Sequence, residues 1–198
     1  MRFSALHSER EFDTLLHEDV RALAMTLDSI LVKHLSWPEL VITDVHRTRE
    51  EHKRLYVQIG HRLITRLQAG EKLSEKDSET AGRLAVMSSD QIEQWAEGRF
   101  SWHLVGTAID IRTTESVTGT LRYPERVTPE EEFVLCDHYQ LCLEGHAPTR
   151  HDAIETWLKA KAKRPDWELV TELHGTGPHW HVARRDDSRR QPKLVRTT

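Results

Sequence analysis

Repeated helix-start signals constrain the fold of this chain more than any other feature of its sequence. We interpret four pairs, in which a serine or threonine stands three residues before an acidic residue, as capping boxes, where each side chain hydrogen-bonds the other residue's backbone. The pairs are Ser8–Glu11, Thr48–Glu51, Thr128–Glu131 and Thr149–Asp152. They predict helices over 8–34, from 48 to about 69, over 128–145, and from 149 to just before Pro165.

Short apolar segments between these helices are typical of strands. We predict strands over 40–45, 108–112, 167–174 and 179–183, with a further strand or hairpin arm over 117–123. The polar segment 70–98 has helical character, and we interpret it as a helical insert. These elements predict an α+β fold, with one domain over 1–185 that has a small antiparallel sheet surrounded by helices. The basic segment 186–198 is expected to be a disordered tail.

Composition excludes several classes of protein. The 198 residues carry a net charge of −4, which does not suggest that the body binds nucleic acid. No stretch approaches the ~20 apolar residues of a membrane span, and the N-terminus lacks the apolar core of a signal peptide. Two cysteines, Cys136 and Cys142, predict a reducing compartment without a disulfide framework. Histidine is unusually frequent, with thirteen residues, and this frequency hints at metal or acid–base chemistry.

The first candidate site lies around His103 and Asp110. Both could bind one metal only if the chain doubles back between them, because an extended chain would place their Cα atoms over ~20 Å apart. Gly106 supplies a permissive backbone for that turn. Asp110 stands inside an otherwise apolar strand, where an unpaired carboxylate would be costly and a metal would offset the cost.

A second pair of candidates follows in the last predicted strand. His179 and His181 are two residues apart, so both imidazoles point to the same face. One can bind a metal while the other stands beside it as an acid or base. Taken with His181, His103 and Asp110 make a set of three ligands with an open fourth position, the pattern of a catalytic zinc. We therefore expect one Zn²⁺.

The motifs in these segments resemble those of a known family. Ser-x-His-x-x-Gly-x-Ala-x-Asp over 101–110, followed by Trp-His at 180–181, is similar to the zinc peptidases of the lysostaphin/D-Ala-D-Ala-peptidase/hedgehog group. The nearest likeness is to D-alanyl-D-alanine carboxypeptidases and phage L-alanyl-D-glutamate endopeptidases. Residues 46–48 and 55–56 resemble the family's Tyr-Arg-Ser/Thr and Leu-Tyr. The resemblance spans about 40–183 and implies that Arg47 binds a substrate carboxylate or polarised carbonyl, with help from Ser101.

The chain departs from the family at the general base. Carboxypeptidase members carry a glutamate three residues before the last zinc histidine, where this chain has Pro178. His-x-His arrangements also occur in the wider group, so His179 is the first candidate for acid–base catalysis. Glu172 and His174 are reserve candidates.

Other interpretations of the same residues remain open. Ser101 could cap a turn, and Arg47 could be an ordinary arginine at a helix start. A rival metal site could form from Cys136, His138, Cys142 and His146, but we favour a packed amphipathic helix there.

The resemblance implies a zinc metallopeptidase that hydrolyses peptidoglycan stem peptides, as an endopeptidase or a D,D-carboxypeptidase. Without a signal peptide, we expect it to be cytoplasmic until lysis releases it, or to be part of a virion, and to act on the cell wall as a monomer. The alternative is an inactive zinc-binding interaction or virion structural module of the same fold. Nucleic-acid binding through the tail is a weaker hypothesis, and we expect no nucleic-acid partner.

Overall fold

A small five-stranded sheet organises the fold. The structure, a computed structural model, describes residues 1–3, 9–115, 119–143, 148–171 and 178–185. The strands are β1 (Arg2–Phe3), β2 (Val41–Asp44), β3 (Ala108–Arg112), β4 (Trp167–Val170) and β5 (His179–Arg184), in the order β1-β2-β3-β5-β4. With the helices, this sheet confirms the predicted α+β class.

The sheet is mixed, and the prediction of an antiparallel sheet is wrong at one edge. β1 pairs with β2 in parallel, whereas the other neighbours are antiparallel. The two residues of β1 are too few for an alternating pattern, so the sequence carries no strand signal there.

Helices begin where the capping signals predict. They are α1 (Glu9–Leu15), α2 (Glu18–Ser29), α3 (Arg49–Gln68), α4 (Glu75–Leu84), α5 (Ser89–Glu97), α6 (Pro129–Tyr139) and α7 (Arg150–Lys161). The capping boxes of Thr48, Thr128 and Thr149 are all formed. Ser8 lies outside the described residues. The insert over 70–98 is helical, since it contains α4 and α5.

The prediction of one helix over 8–34 is wrong. The chain forms α1 and α2, then a π-helical turn over Ile30–His34. The break falls at His17, whose backbone N–H donates to the carbonyl oxygen of Gly106 over 2.7 Å. Its Nδ1 accepts from the N–H of Asp19 and starts α2. A tertiary hydrogen bond therefore interrupts a continuous apolar periodicity.

The end of α6 corrects two further predictions. The helix ends at Tyr139 rather than at Gly145, which lies outside the described residues, because Gln140 adopts a left-handed conformation with φ 55°. The chain folds back after Gln140, and Cys142 forms a disulfide with Cys136, their Cα atoms 4.6 Å apart. The prediction that the two cysteines form no disulfide framework is therefore wrong.

The chain divides into two compact units, 1–46 with 105–198, and 47–104. In the first unit, apolar side chains from the sheet and helices form one buried core that includes Ile109, Ile111, Trp180 and Val182. The second unit consists mainly of α3, α4 and α5. There Gly60 of α3 allows close approach, since a Cβ at this position would lie 3.3 Å from Leu84. The prediction of a single domain over 1–185 stays a prediction.

None of the helices within the described ranges has the length and apolar character needed to cross a membrane.

Candidate metal centre

The face of the sheet opposite the core carries the candidate site. In β3 and β5, alternate residues point to opposite faces. Ile109 and Ile111 of β3, with Trp180 and Val182 of β5, fill the core. The intervening polar residues therefore lie on the other face: Asp110 and Arg112 of β3, with His179 and His181 of β5. Register pairs Asp110 with His181, and Arg112 with His179.

Asp110 contacts both histidines of β5. Its Oδ1 lies 2.8 Å from Nδ1 of His181, and its Oδ2 lies 3.4 Å from Nε2 of His179. The carboxylate is buried, with 5% of the residue exposed. An isolated carboxylate there would be costly. Both imidazoles contact this carboxylate, so His179 and His181 share one face of β5.

His103 completes the cluster predicted from the sequence. Gly106 adopts φ 67°, the left-handed conformation that the turn between His103 and Asp110 requires. Ligand atoms from His103, Asp110 and His181 all lie within 4.8 Å of one another, and this cluster could hold a metal ion. Two atoms bound to one zinc at about 2.1 Å can lie at most ~4.2 Å apart, so small side-chain adjustments suffice.

Ser101 has a structural role in the turn that carries His103. Its Oγ accepts a hydrogen bond from the N–H of His103 over 3.3 Å, and its carbonyl accepts from the N–H of Leu104. These bonds stabilise a 3₁₀ turn over Trp102–Val105. The alternative that Ser101 caps a turn is therefore observed, and its assistance to substrate binding stays a prediction.

Arg47 begins the second unit, directly before the N-cap of α3. Its backbone N–H donates to the carbonyl oxygen of His103 over 3.2 Å. The residue is half-buried. The bond ties the main chain at Arg47 to a proposed ligand, whereas the role of its guanidinium in substrate binding stays a prediction.

A second buried histidine, His52, lies in the same unit. Its Nε2 lies 3.2 Å from the carbonyl oxygen of Arg99, and its ring packs on Tyr56. Burial lowers the pKa of His52, against the opposing effect of its hydrogen bond to the backbone of Arg99, and the positive charge of Arg47 lowers it further. At neutral pH His52 is therefore neutral and adds no positive charge beside Arg47.

The reserve candidates Glu172 and His174 lie outside the described residues. Pro178 is exposed, and its carbonyl oxygen accepts a hydrogen bond from the N–H of Thr113 over 3.4 Å. It carries no ionisable group at the position where the carboxypeptidases that the motifs resemble have an acid.

The alternative metal site, predicted from Cys136, His138, Cys142 and His146, has no free thiols to serve as ligands. Cys136 and Cys142 are joined in the disulfide, and His138 is exposed near Asp137. His146 lies outside the described residues. Within the described part of the chain, the cluster of His103, Asp110 and His181 is the one set of three or more His, Cys, Asp or Glu that could hold a metal ion.

Sequence reasoning missed two charged residues near the cluster. Arg112 follows Asp110 by two residues, so the alternation of β3 could have placed it on the same face. Asp44, at the end of β2, pairs with Asp110 across the sheet and is also buried. No sequence signal could have found Asp44, because the pairing of β2 with β3 joins residues far apart in the chain.

Comparisons with known proteins found no match: no family model, no curated protein and no solved structure is significantly similar to this chain. The likeness to zinc peptidases therefore rests on the motifs described above.

Proposed function

We propose that this protein is a zinc-dependent peptidase that hydrolyses the stem peptides of peptidoglycan. The observation that carries the proposal is the buried cluster of His103, Asp110 and His181. Two imidazoles and a carboxylate are typical zinc ligands, and three protein ligands leave a position for water or substrate. The substrate class comes from the motifs, which resemble those of peptidases that cleave cell-wall peptides.

The residues of the chain have distinct roles in this proposal. His103, Asp110 and His181 hold the ion, which when bound lowers the pKa of a water and polarises a peptide carbonyl. His179 lies beside Asp110 with its Nε2 toward the carboxylate. In this role a ring nitrogen of His179 takes a proton from the attacking water and delivers it to the leaving amine nitrogen. Arg47 holds the polarised carbonyl oxygen or a carboxylate of the substrate.

One observation favours a second function. Pro178 stands where the related carboxypeptidases carry their general base, and a proline cannot take a proton. A zinc-binding interaction or virion structural module with the same ligands and no catalysis would need no base.

A digestion experiment tests the proposal. Zinc-loaded wild type, His181→Ala and the control His138→Ala are incubated with purified peptidoglycan. Metal content is measured by mass spectrometry, and the released fragments are identified by their masses. His138 is an exposed histidine on α6, so its loss controls for the general effect of removing an imidazole. We expect one zinc and new amino termini with wild type and His138→Ala, and neither with His181→Ala.

Two results would contradict the proposal in different ways. A wild-type protein that holds one zinc but releases no fragment is a binding module. A wild-type protein that holds no zinc overturns the metal centre itself. The fragment masses of an active protein distinguish an endopeptidase from a carboxypeptidase, which releases single terminal residues.

A further inference from the structure

Arg112 is a positive charge on the same sheet face as the cluster. It is the last residue of β3 and follows Asp110 by two residues, so their side chains project from the same face. Across the sheet its register partner is His179. Directly opposed residues in an antiparallel pair have neighbouring side chains. Arg112 therefore stands beside the residue proposed to move the proton, and it is half-buried.

The guanidinium of Arg112 has no acidic partner among the described residues, in contrast to other arginines of the same unit. Arg122 pairs with Glu115 at 2.8 Å, and Arg185 pairs with Glu168 at 3.0 Å. Asp110 is close in sequence, but its two oxygens face His181 and His179 instead. Arg112 is thus not needed to hold Asp110 in place.

Among the described residues of this face, no carboxylate is paired with the charge of Arg112. Asp110 and its register partner Asp44 are the two carboxylates paired across β2 and β3. A divalent ion on the cluster would offset the negative charge of Asp110. The charge of Arg112 then remains, and a half-buried cation beside a metal centre attracts an anionic group.

We infer that Arg112 binds a carboxylate of the substrate and thereby selects peptides that carry one near the bond to be cut. The planar guanidinium matches a carboxylate with two parallel hydrogen bonds. This inference rests on the proposed function, since it assigns the substrate of the same site. The carboxylate could come from the end of the peptide or from an acidic residue within it. The test separates these two sources.

The test compares three forms of one stem pentapeptide: with all its carboxylates, amidated at the C-terminus, and amidated at the internal carboxylate. Their affinities are measured by titration calorimetry on zinc-loaded and on metal-free protein, and cleavage is followed for KM and kcat. The variants are Arg112→Gln, Arg112→Lys and the control Arg54→Gln. Arg54 is an exposed arginine of α3.

We expect wild type and Arg54→Gln to bind one of the amidated peptides about tenfold more weakly than the unmodified peptide, the size of one charge-assisted pair. The form that loses affinity names the source of the carboxylate. Arg112→Gln should bind all three forms alike, with a raised KM and little change in kcat, and Arg112→Lys should recover part of the preference. The inference is overturned if Arg112→Gln keeps the wild-type preference, or if wild type shows none.

Failure of the proposed function has a different signature. A preference that depends on Arg112, in a protein that binds no zinc or cleaves no peptide, supports the carboxylate site and overturns the peptidase. Zinc-dependent cleavage with equal affinity for all three peptides supports the peptidase and overturns the carboxylate site.

Discussion

At the scale of single residues, burial decides which polar groups carry chemistry. Asp110 lies between Ile109 and Ile111, both fully buried in the core, yet its own side chain points away from them toward two imidazoles. The carboxylate in an apolar strand signalled this site in the sequence. Once the pairing of β3 with β5 was known, strand alternation alone placed the Asp110 carboxylate on the same face as His179.

His151 of α7 shows how burial acts on the opposite face of the sheet. Its ring packs on Trp180 with centroids 4.7 Å apart, and its Nδ1 is buried without a hydrogen-bond partner among the described residues. Burial lowers the pKa of His151 from its ordinary 6.5, against the opposing effect of Glu155 and Asp152.

We predict that His151 makes stability depend on pH. Because His151 has a lower pKa in the folded state than in the unfolded state, its imidazole takes up a proton on unfolding below pH 6.5. The contribution is fully present above that pH and is lost as the pH falls toward the lower folded pKa. The slope cannot exceed one proton, about 1.4 kcal/mol per pH unit. Urea unfolding at pH 7.5 and 5 should show that His151→Phe, which retains a ring on Trp180, loses less stability than wild type.

The control for this prediction is His138→Phe, at an exposed position of α6. It should follow the wild-type pH dependence. A His151→Phe variant with the wild-type pH dependence would show that the unfolding equilibrium does not involve this proton.

At the scale of elements, local signals set where helices start and tertiary contacts set where they stop. The N-caps of α3, α6 and α7 are made of residues three positions apart, and the sequence predicted all three. The break at His17 and the early end of α6 were not predictable. The break at His17 depends on a hydrogen bond to Gly106. The end of α6 depends on Gln140, which adopts a left-handed conformation where a glycine would have been the usual sequence signal.

The turn at Gly106 is the element on which the cluster depends. We predict that Gly106→Ala destabilises the protein by about 1–2 kcal/mol, because an alanine at φ 67° is strained. It should also weaken zinc binding, since the turn brings His103 to Asp110. Chemical unfolding and zinc titration check the two effects.

Gly82→Ala is the matched control. Gly82 lies inside α4, and a Cβ there would meet nothing within 4 Å. We expect this variant to gain about 0.5–1 kcal/mol from helix propensity and to bind zinc as the wild type does. Equal behaviour of the two alanine variants would contradict the role assigned to Gly106.

At the scale of the whole molecule, the cluster joins residues distant in the chain, since His181 lies more than seventy positions after Asp110. Such a cluster is absent from an unfolded chain, so an ion that binds it stabilises the folded state.

We predict that zinc raises the thermal unfolding midpoint of the wild type. A free concentration of 100 times the Kd adds about 2.7 kcal/mol, which for a chain of this size corresponds to roughly 5–10 °C. A chelator should reverse the shift, and His181→Ala should abolish it while His138→Ala retains it. A similar shift in His181→Ala would place the stabilising ion elsewhere.

The sequence by itself determined the starts of α3, α6 and α7, the α+β class, the strands β3 and β5, and the three residues of the candidate metal centre. These depend on short spacings, such as capping pairs, strand alternation and a glycine between two ligands, and short spacings leave a pattern in the chain. The tertiary structure alone decided the parallel β1, the break at His17, the disulfide, and the pairing of Asp44 with Asp110 and Arg112 with His179. Those features depend on strand register and on hydrogen bonds between distant residues. The contacts that stabilise these features are made with residues far away in the chain, and no local sequence pattern specifies such residues.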